Sequence, residues 1–254
     1  MGAGIPPSPP GARPPETRDV VAQAALLLDL DGTLLDLAPR PDAVVVPHAL
    51  RASLARLYPR LGGALALVTG RRLDDVDRLL APLRLPVAAE HGGILRPDPS
   101  GAPEPARLPR LPSGWERRAA AFAAARPGLL VEPKSAGFVL HHRAAPEHGA
   151  AARAFLATLL AEQPGFELLA ADMAWELRPS GVDKGRAVRA LMARAPFAGR
   201  RPIFIGDDVT DEDGMAAAVA LGGLGLRVAE AFRSPAGVRA WLAALCEDHD
   251  APAP

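Results

Sequence analysis

The sequence predicts an α/β fold, a mainly parallel sheet with helices on both faces, carrying a small inserted α+β domain. Three observations lead there. Short apolar runs alternate with stretches of helical periodicity over residues 21–110 and again over 180–254, the pattern that builds parallel sheets through crossover helices. Four of those runs stop in polar clusters, at Asp29 to Thr33, Thr69 to Arg71, Glu90 to Gly93 and Gly206 to Asp208, as strands do when they deliver side chains to the crevice beyond their carboxyl ends. Residues 111–179 break the alternation, and short Gly-containing turns there favour antiparallel pairing.

Taken in order, residues 1–20 are rich in Pro and Gly, lack an apolar run and are expected to be a disordered tail. They make neither a signal peptide nor a membrane span, and Pro6 stands where a myristoylation signal needs Ser or Thr. Leu26 to Leu30 is a buried parallel strand that stops at Asp29 and Asp31. Leu35 to Pro47, with three prolines, is a loop or flap; His48 to Tyr58 is a helix, Ala64 to Val68 a strand, Leu73 to Leu80 a helix and Val87 to Ala89 a strand. Asp98 to Pro112 is dense in Pro and Gly and marks a domain boundary. In the insertion, Trp115 to Ala125 and Pro146 to Glu162 are helices. Leu129 to Glu132 and Phe138 to Arg143 are strands, and Phe166 to Arg178 supplies one or two more. The main domain resumes with a helix from Asp183 to Arg194, a strand Pro202 to Ile205, a helix Asp211 to Val219, a strand Leu224 to Val228 and a last helix Pro235 to Leu245.

Composition removes several classes of function. The 29 basic and 29 acidic residues balance, which gives no support to nucleic-acid or membrane-surface binding by bulk attraction. Cys246 is the one cysteine, so no intrachain disulfide forms and a cytoplasmic location is expected. Of the 29 basic residues only Lys134 and Lys184 are lysine. Against so strong an arginine bias, both are candidates for positions that need a compact ammonium.

The motifs carry more. Asp29 and Asp31 suit phosphoryl transfer, one carboxylate attacking phosphorus and its neighbour working as acid and base; a strand-end cap with an Asx-turn is the plain alternative. Thr69-Gly70-Arg71 offers a hydroxyl and backbone N–H groups to a phosphate, or a simple helix N-cap. Lys184, opening a helix against the macrodipole, is suited to neutralise phosphate and nucleophile. Asp207 and Asp208 are candidate ligands for a hard cation, while Thr210 with Asp213 looks like the cap of the following helix. His141 and His142, adjacent on a strand, face opposite ways and do not share a metal.

Together, Asp29-Leu30-Asp31-Gly32-Thr33, Thr69-Gly70-Arg71, Lys184 and Gly206-Asp207-Asp208 resemble the four motifs of the haloacid dehalogenase (HAD) superfamily. Finer features are similar to its trehalose-6-phosphate phosphatase family: His91-Gly92, Val131-Glu132-Pro133-Lys134, His141-His142-Arg143, Trp175-Glu176-Leu177-Arg178-Pro179 and Gly206 to Asp213. The resemblance implies a HAD-like Rossmannoid core with an inserted α+β cap. It also implies an Mg2+-dependent phosphatase that forms an aspartyl-phosphate on Asp29, with Asp31 as acid then base and Thr69 and Lys184 on the phosphate. Gly70, Arg71 and His91 would join the substrate site, and Glu132, Lys134, Arg143 and Glu176 of the cap would bind the sugar. Asp29, the Asp31 carbonyl, Asp207 and Asp208 would hold Mg2+, with Asp208 or Asp211 acting through water. A small sugar phosphate is the implied partner molecule, with a trehalose-6-phosphate synthase as pathway partner. A phosphatase for another sugar phosphate, such as a glycosyl-3-phosphoglycerate, keeps the same core motifs and differs in the cap. A phosphomutase or a non-catalytic sugar-phosphate sensor are further alternatives.

Overall fold

A computed structural model describes residues 14–16, 20–21, 23–38, 44–171 and 173–247. Most of the tail expected to be disordered, and part of the loop expected between Leu35 and Pro47, lie outside the described residues. In chain order the elements begin with β1 (Ala24–Leu28), α1 (His48–Arg60), β2 (Leu65–Val68), α2 (Leu73–Leu80), β3 (Val87–Ala89), β4 (Ile94–Arg96) and β5 (Glu104–Pro105). There follow α3 (Trp115–Ala124), β6 (Leu130–Pro133), β7 (Phe138–His141), α4 (Gly149–Leu160), β8 (Phe166–Ala171) and β9 (Ala174–Pro179). The chain closes with α5 (Lys184–Met192), β10 (Arg201–Gly206), α6 (Glu212–Ala220), β11 (Leu224–Arg227), α7 (Val228–Ala231) and α8 (Pro235–Glu247). The described residues form two compact units, Ala106–Val182 and the remainder.

The larger unit is built on a seven-stranded sheet of order β11-β10-β1-β2-β3-β4-β5. From β11 to β3 every pairing is parallel. All five residues of β1 are buried, because the sheet is covered on both faces and alternate side chains enter two separate cores. Leu26 and Leu28 join Leu50 and Leu54 of α1, Val76 of α2 and Leu242 of α8. Ala25, Leu27 and Phe204 face the other way, onto Val188 and Leu191 of α5 and Ala217 of α6. Each such leucine contributes on the order of 1.5–3 kcal/mol by leaving water.

The sheet continues past β3 through β4 and β5, both antiparallel, where the sequence reading has only loop and boundary. A three-residue run ending in arginine carries no strand period. What holds it is Arg96, fully buried, whose guanidinium forks onto Asp77 of α2 at 2.6 and 2.7 Å and reaches the Leu85 carbonyl at 3.1 Å. Without Arg96 the half-buried Asp77 keeps only a longer contact to the exposed Arg84, at 3.2 Å, and the apolar site around the lost guanidinium is left empty. Arg96→Ala is therefore expected to cost about 2 kcal/mol and to lower the thermal midpoint by about 4–8 °C, measured by calorimetry.

The smaller unit is a four-stranded antiparallel sheet, β6-β7-β9-β8. One face carries Phe138, Leu140 and Leu177, packed on Trp115 and Ala119 of α3 and Leu156 and Leu159 of α4. Strand alternation sends the sequence neighbours of those residues the opposite way. Glu132 pairs with Val139, and Val139 with Glu176, so these three share the face turned from the helices. The architecture is thus a parallel-sheet core with an inserted α+β cap. Among the described residues no helix is long and apolar enough to cross a membrane.

Candidate active site

Because β10, β1, β2 and β3 are consecutive in the sheet, the polar residues that follow them are neighbours. Asp29 is the first residue beyond β1; its N–H still donates to the Ile205 carbonyl at 2.9 Å, which fixes it as an extension of the ladder. It is 4% exposed. Lys184 opens α5, behind an N-cap in which the Asp183 carboxylate accepts the Arg186 N–H at 2.7 Å. Its buried ammonium donates to Asp29 Oδ1 at 2.7 Å and Asp211 Oδ1 at 2.6 Å. The other Asp211 oxygen accepts the N–H groups of Asp207 and Asp208, at 3.0 and 3.1 Å.

The cap expected at Thr210 and Asp213 is formed instead by Asp208 and Asp211, since Val209–Asp211 makes a short 3₁₀ turn before α6 begins. The Asp208 carboxylate accepts the Thr210 N–H. Thr33 Oγ1 donates to Asp207 Oδ1 at 3.1 Å, tying the β1 loop to the β10 loop. Gly32 permits that approach: its φ is +75°, and a Cβ there would come within 2.1 Å of Asp207 Oδ2.

Carboxylate oxygens of Asp29, Asp207 and Asp211 lie within 4.8 Å of one another. Three carboxylates face a single ammonium, so two negative charges stand uncompensated when all are ionised, and hard oxygen donors with that deficit fit a divalent cation of the Mg2+ kind. Both oxygens of Asp211 already accept hydrogen bonds, which leaves Asp29 and Asp207 as the better direct ligands. Of the other residues expected at a metal, Asp31 turns its carboxylate to Arg71 and Asp208 caps the 3₁₀ turn.

Burial, then the Asp211 carboxylate, push Asp29 well above the ordinary carboxylate range against the pull of Lys184. Burial works against the Lys184 charge, but Asp29 and Asp211 outweigh it and hold the ammonium above its usual value. Asp207 is pushed up to about 6 by burial and by Asp211. A carboxylate raised in this way favours the metal-free fold most below its unfolded value of about 4, and that contribution is lost as pH rises through about 6. A cation must displace the proton, so apparent Mg2+ affinity is expected to fall roughly fivefold between pH 6 and pH 5. Isothermal titration of the cation into the protein, without substrate, checks this.

On the other side of β1, Thr69 is buried and its Oγ1 accepts the Arg71 N–H at 3.2 Å, closing the loop rather than capping α2. The next strand end holds this loop: His91 N–H donates to the Thr69 carbonyl at 2.9 Å and Glu90 N–H to the Arg71 carbonyl at 3.0 Å. Those bonds require positive φ at Glu90 and His91, 49° and 55°. The His91 ring packs on Gly70, where a Cβ would lie 2.6 Å from Nε2. Arg71 makes a two-pronged contact with Asp31, Nε to Oδ2 and Nη2 to Oδ1, both 2.6 Å.

In the smaller unit Glu132 ion-pairs with Lys134 at 2.5 Å and is within hydrogen-bond distance of the His141 Nε2, at 2.8 Å. Burial alone would raise Glu132, but His141 and Lys134 lower it to about 2. Glu176 is on the same face and buried, whereas Arg143 follows β7 and is exposed. The sequence offers Asp211 as a water-mediated metal ligand rather than as the orienter of Lys184, and gives no sign that Thr33 ties two loops together or that His141 joins Glu132. The alternation that sets His141 and His142 on opposite faces also puts His141 on the Glu132 face once strands β6 and β7 are paired.

Comparison with known proteins agrees with this geometry. A family model described as trehalose-phosphatase matches residues 27–221. A protein of Sinorhizobium fredii named "Probable trehalose-phosphate phosphatase" is 45% identical over 209 residues, covering 80% of this chain and 77% of the relative. A bifunctional trehalose-6-phosphate synthase/phosphatase of Thermoproteus tenax is 35% identical over 199 residues, 74% of this chain and 26% of that one. The solved C-terminal domain of the C. albicans trehalose-6-phosphate phosphatase superposes with a TM-score of 0.73 over 93% of this chain and 99% of that one, at 19% identity, a likeness of fold.

Proposed function

The chain belongs to the trehalose-phosphatase family of HAD phosphatases, and from that premise we propose that it hydrolyses trehalose 6-phosphate to trehalose and phosphate. It is a phosphoric monoester hydrolase by family; the substrate, the metal and the covalent route are the proposal. The observation that carries it is Lys184, buried between Asp29 and Asp211 with Asp207 beside them. No structural need accounts for three acids crowded beyond two adjacent strand ends, and a phosphoryl group with its cation does.

Asp29 attacks phosphorus as the bond to the sugar oxygen breaks, and Asp31 gives that oxygen its proton. Water then attacks the phosphorus on Asp29, returning a proton to Asp31 and freeing phosphate. Lys184 and the Thr69 hydroxyl, with the Gly70 backbone N–H, balance the charge of the transferring group. Mg2+, held by Asp29, the Asp31 carbonyl and Asp207, with Asp208 or Asp211 behind it, would neutralise phosphate oxygens. His91 backs the phosphate loop. Glu132, Lys134, Arg143 and Glu176 are assigned to the sugar, whose hydroxyls suit paired carboxylates and cations. The proposed setting is cytoplasmic, with a synthase supplying the substrate, as the fused relative suggests.

Phosphate release across a panel of sugar phosphates, with Mg2+ and with chelator, tests the reading. Preference for trehalose 6-phosphate and loss with chelator are expected; a preference for a glycosyl-3-phosphoglycerate, or no preference, overturns the substrate. Lys134→Ala is expected to raise KM for trehalose 6-phosphate about tenfold or more and to leave hydrolysis of p-nitrophenyl phosphate within about twofold.

A further inference from the structure

We propose that Arg71 is the positioning residue for the acid/base Asp31, an assignment that rests on the phosphatase reading and deepens it. Asp31 stands on the tight turn after β1, where Gly32 N–H donates to the Leu35 carbonyl at 2.8 Å and Leu34 N–H to the Leu30 carbonyl at 2.9 Å. Its side chain is 32% exposed and, among the described residues, takes its hydrogen bonds from Arg71 alone. Left to itself, such a carboxylate rotates about both of its side-chain bonds. The Arg71 fork removes that freedom, since Nε and Nη2 engage the two oxygens separately and fix the carboxylate plane.

The fork can hold because its own base is held. Arg71 is bonded through its N–H to Thr69 Oγ1 and through its carbonyl to the Glu90 N–H, and its side chain is 13% exposed. An ionised carboxylate offers about four lone-pair sites and a side-on guanidinium takes two. One lone pair on each oxygen remains for the proton that passes to the departing sugar oxygen. Nothing is transferred to or from Arg71: the proton leaves Asp31 for the alkoxide as the phosphorus–oxygen bond breaks. The sequence places this arginine at the substrate site without naming a role for its side chain; in the fold two of its donors go to Asp31.

A residue that acts through the acid matters in proportion to how badly the leaving group needs a proton. In the full chain with Mg2+, Arg71→Leu is expected to lower kcat/KM for trehalose 6-phosphate about 30–100-fold, the usual scale for losing alignment of a reacting group. With p-nitrophenyl phosphate, whose nitrophenolate departs unprotonated, the loss is expected to stay within about threefold. Arg71→Lys, with one point contact in place of two, should fall between wild type and Arg71→Leu on the sugar phosphate. In an Asp31→Ala background, adding Arg71→Leu should cost less than about twofold more. Equal losses on both substrates, no loss on either, or a further large loss without Asp31 would overturn the assignment. Failure of the substrate reading shows elsewhere, as a wild-type enzyme without preference for trehalose 6-phosphate, and leaves the Arg71 comparison to be made with any alkyl phosphate it hydrolyses.

Discussion

Asp29→Asn is expected to release phosphate from any substrate at no more than about one part in a thousand of the wild-type rate. An amide oxygen is too poor a nucleophile to attack phosphorus, and no neighbour can take its place. Lys184 is a cation, Asp211 has both oxygens in hydrogen bonds, and Asp207 is tied to the β1 loop by Thr33. A thousandfold loss corresponds to roughly 4 kcal/mol of barrier. The fold should not suffer, because the Asn oxygen still accepts from Lys184 and one of three crowded carboxylates has gone. A metal-free thermal midpoint at or above wild type at pH 7.5 is the expected companion result, and it separates lost chemistry from lost structure. Residual turnover above about one per cent would place the nucleophile elsewhere.

How much of this the sequence announced depends on the range of the interaction. β1 was legible through to Asp31 because five consecutive apolar residues followed by acids form a local signal, and apolar runs that stop in polar residues mark β2, β3 and β10. The expected α/β core with its α+β insertion follows from that repetition. Pairings across the chain were legible only in part. Lys184, 155 residues from Asp29, is marked for the nucleophile by being one of two lysines among 29 basic residues and by opening a helix, whereas Arg71 meets Asp31 from 40 residues away and is one arginine among many. β4 was missed because a fully buried arginine is what pins it, and a buried charge reads as exposed loop until its partner on α2 is known. The cap before α6 was misplaced by two residues for a related reason. Asp208, Thr210, Asp211 and Asp213 are all competent cap residues, and the choice among them is made by Asp211 turning one oxygen to the backbone and the other to Lys184.

Lys184→Ala is expected to abolish turnover of every substrate and, unlike Asp29→Asn, to destabilise the protein. The ammonium is buried between two carboxylates, and removing it leaves Asp29 and Asp211 facing each other and Asp207 without a counter-charge. Breaking a buried pair on one side costs about 3–5 kcal/mol; here protonation of a carboxylate relieves part of it, so about 3 kcal/mol is the expected loss at pH 7.5. The sign with pH follows. Lys184 has a folded pKa above its unfolded value, so its contribution is complete at neutral pH and is lost only as pH rises through the folded pKa. In the variant the carboxylates must carry the change, and the deficit should shrink from pH 7.5 to pH 5 as they protonate. Saturating Mg2+ should recover part of the stability at pH 7.5 and none of the turnover, since a cation restores charge balance between Asp29 and Asp207 but not the donor on the phosphate. Lys184→Arg should do no better than Ala in turnover, because a planar guanidinium cannot occupy a site 3% exposed that converges on two oxygens at 2.6 and 2.7 Å. Thermal melts at both pH values, with and without Mg2+, decide it: a deficit that grows on acidification would mean that Lys184 is compensating something other than these carboxylates.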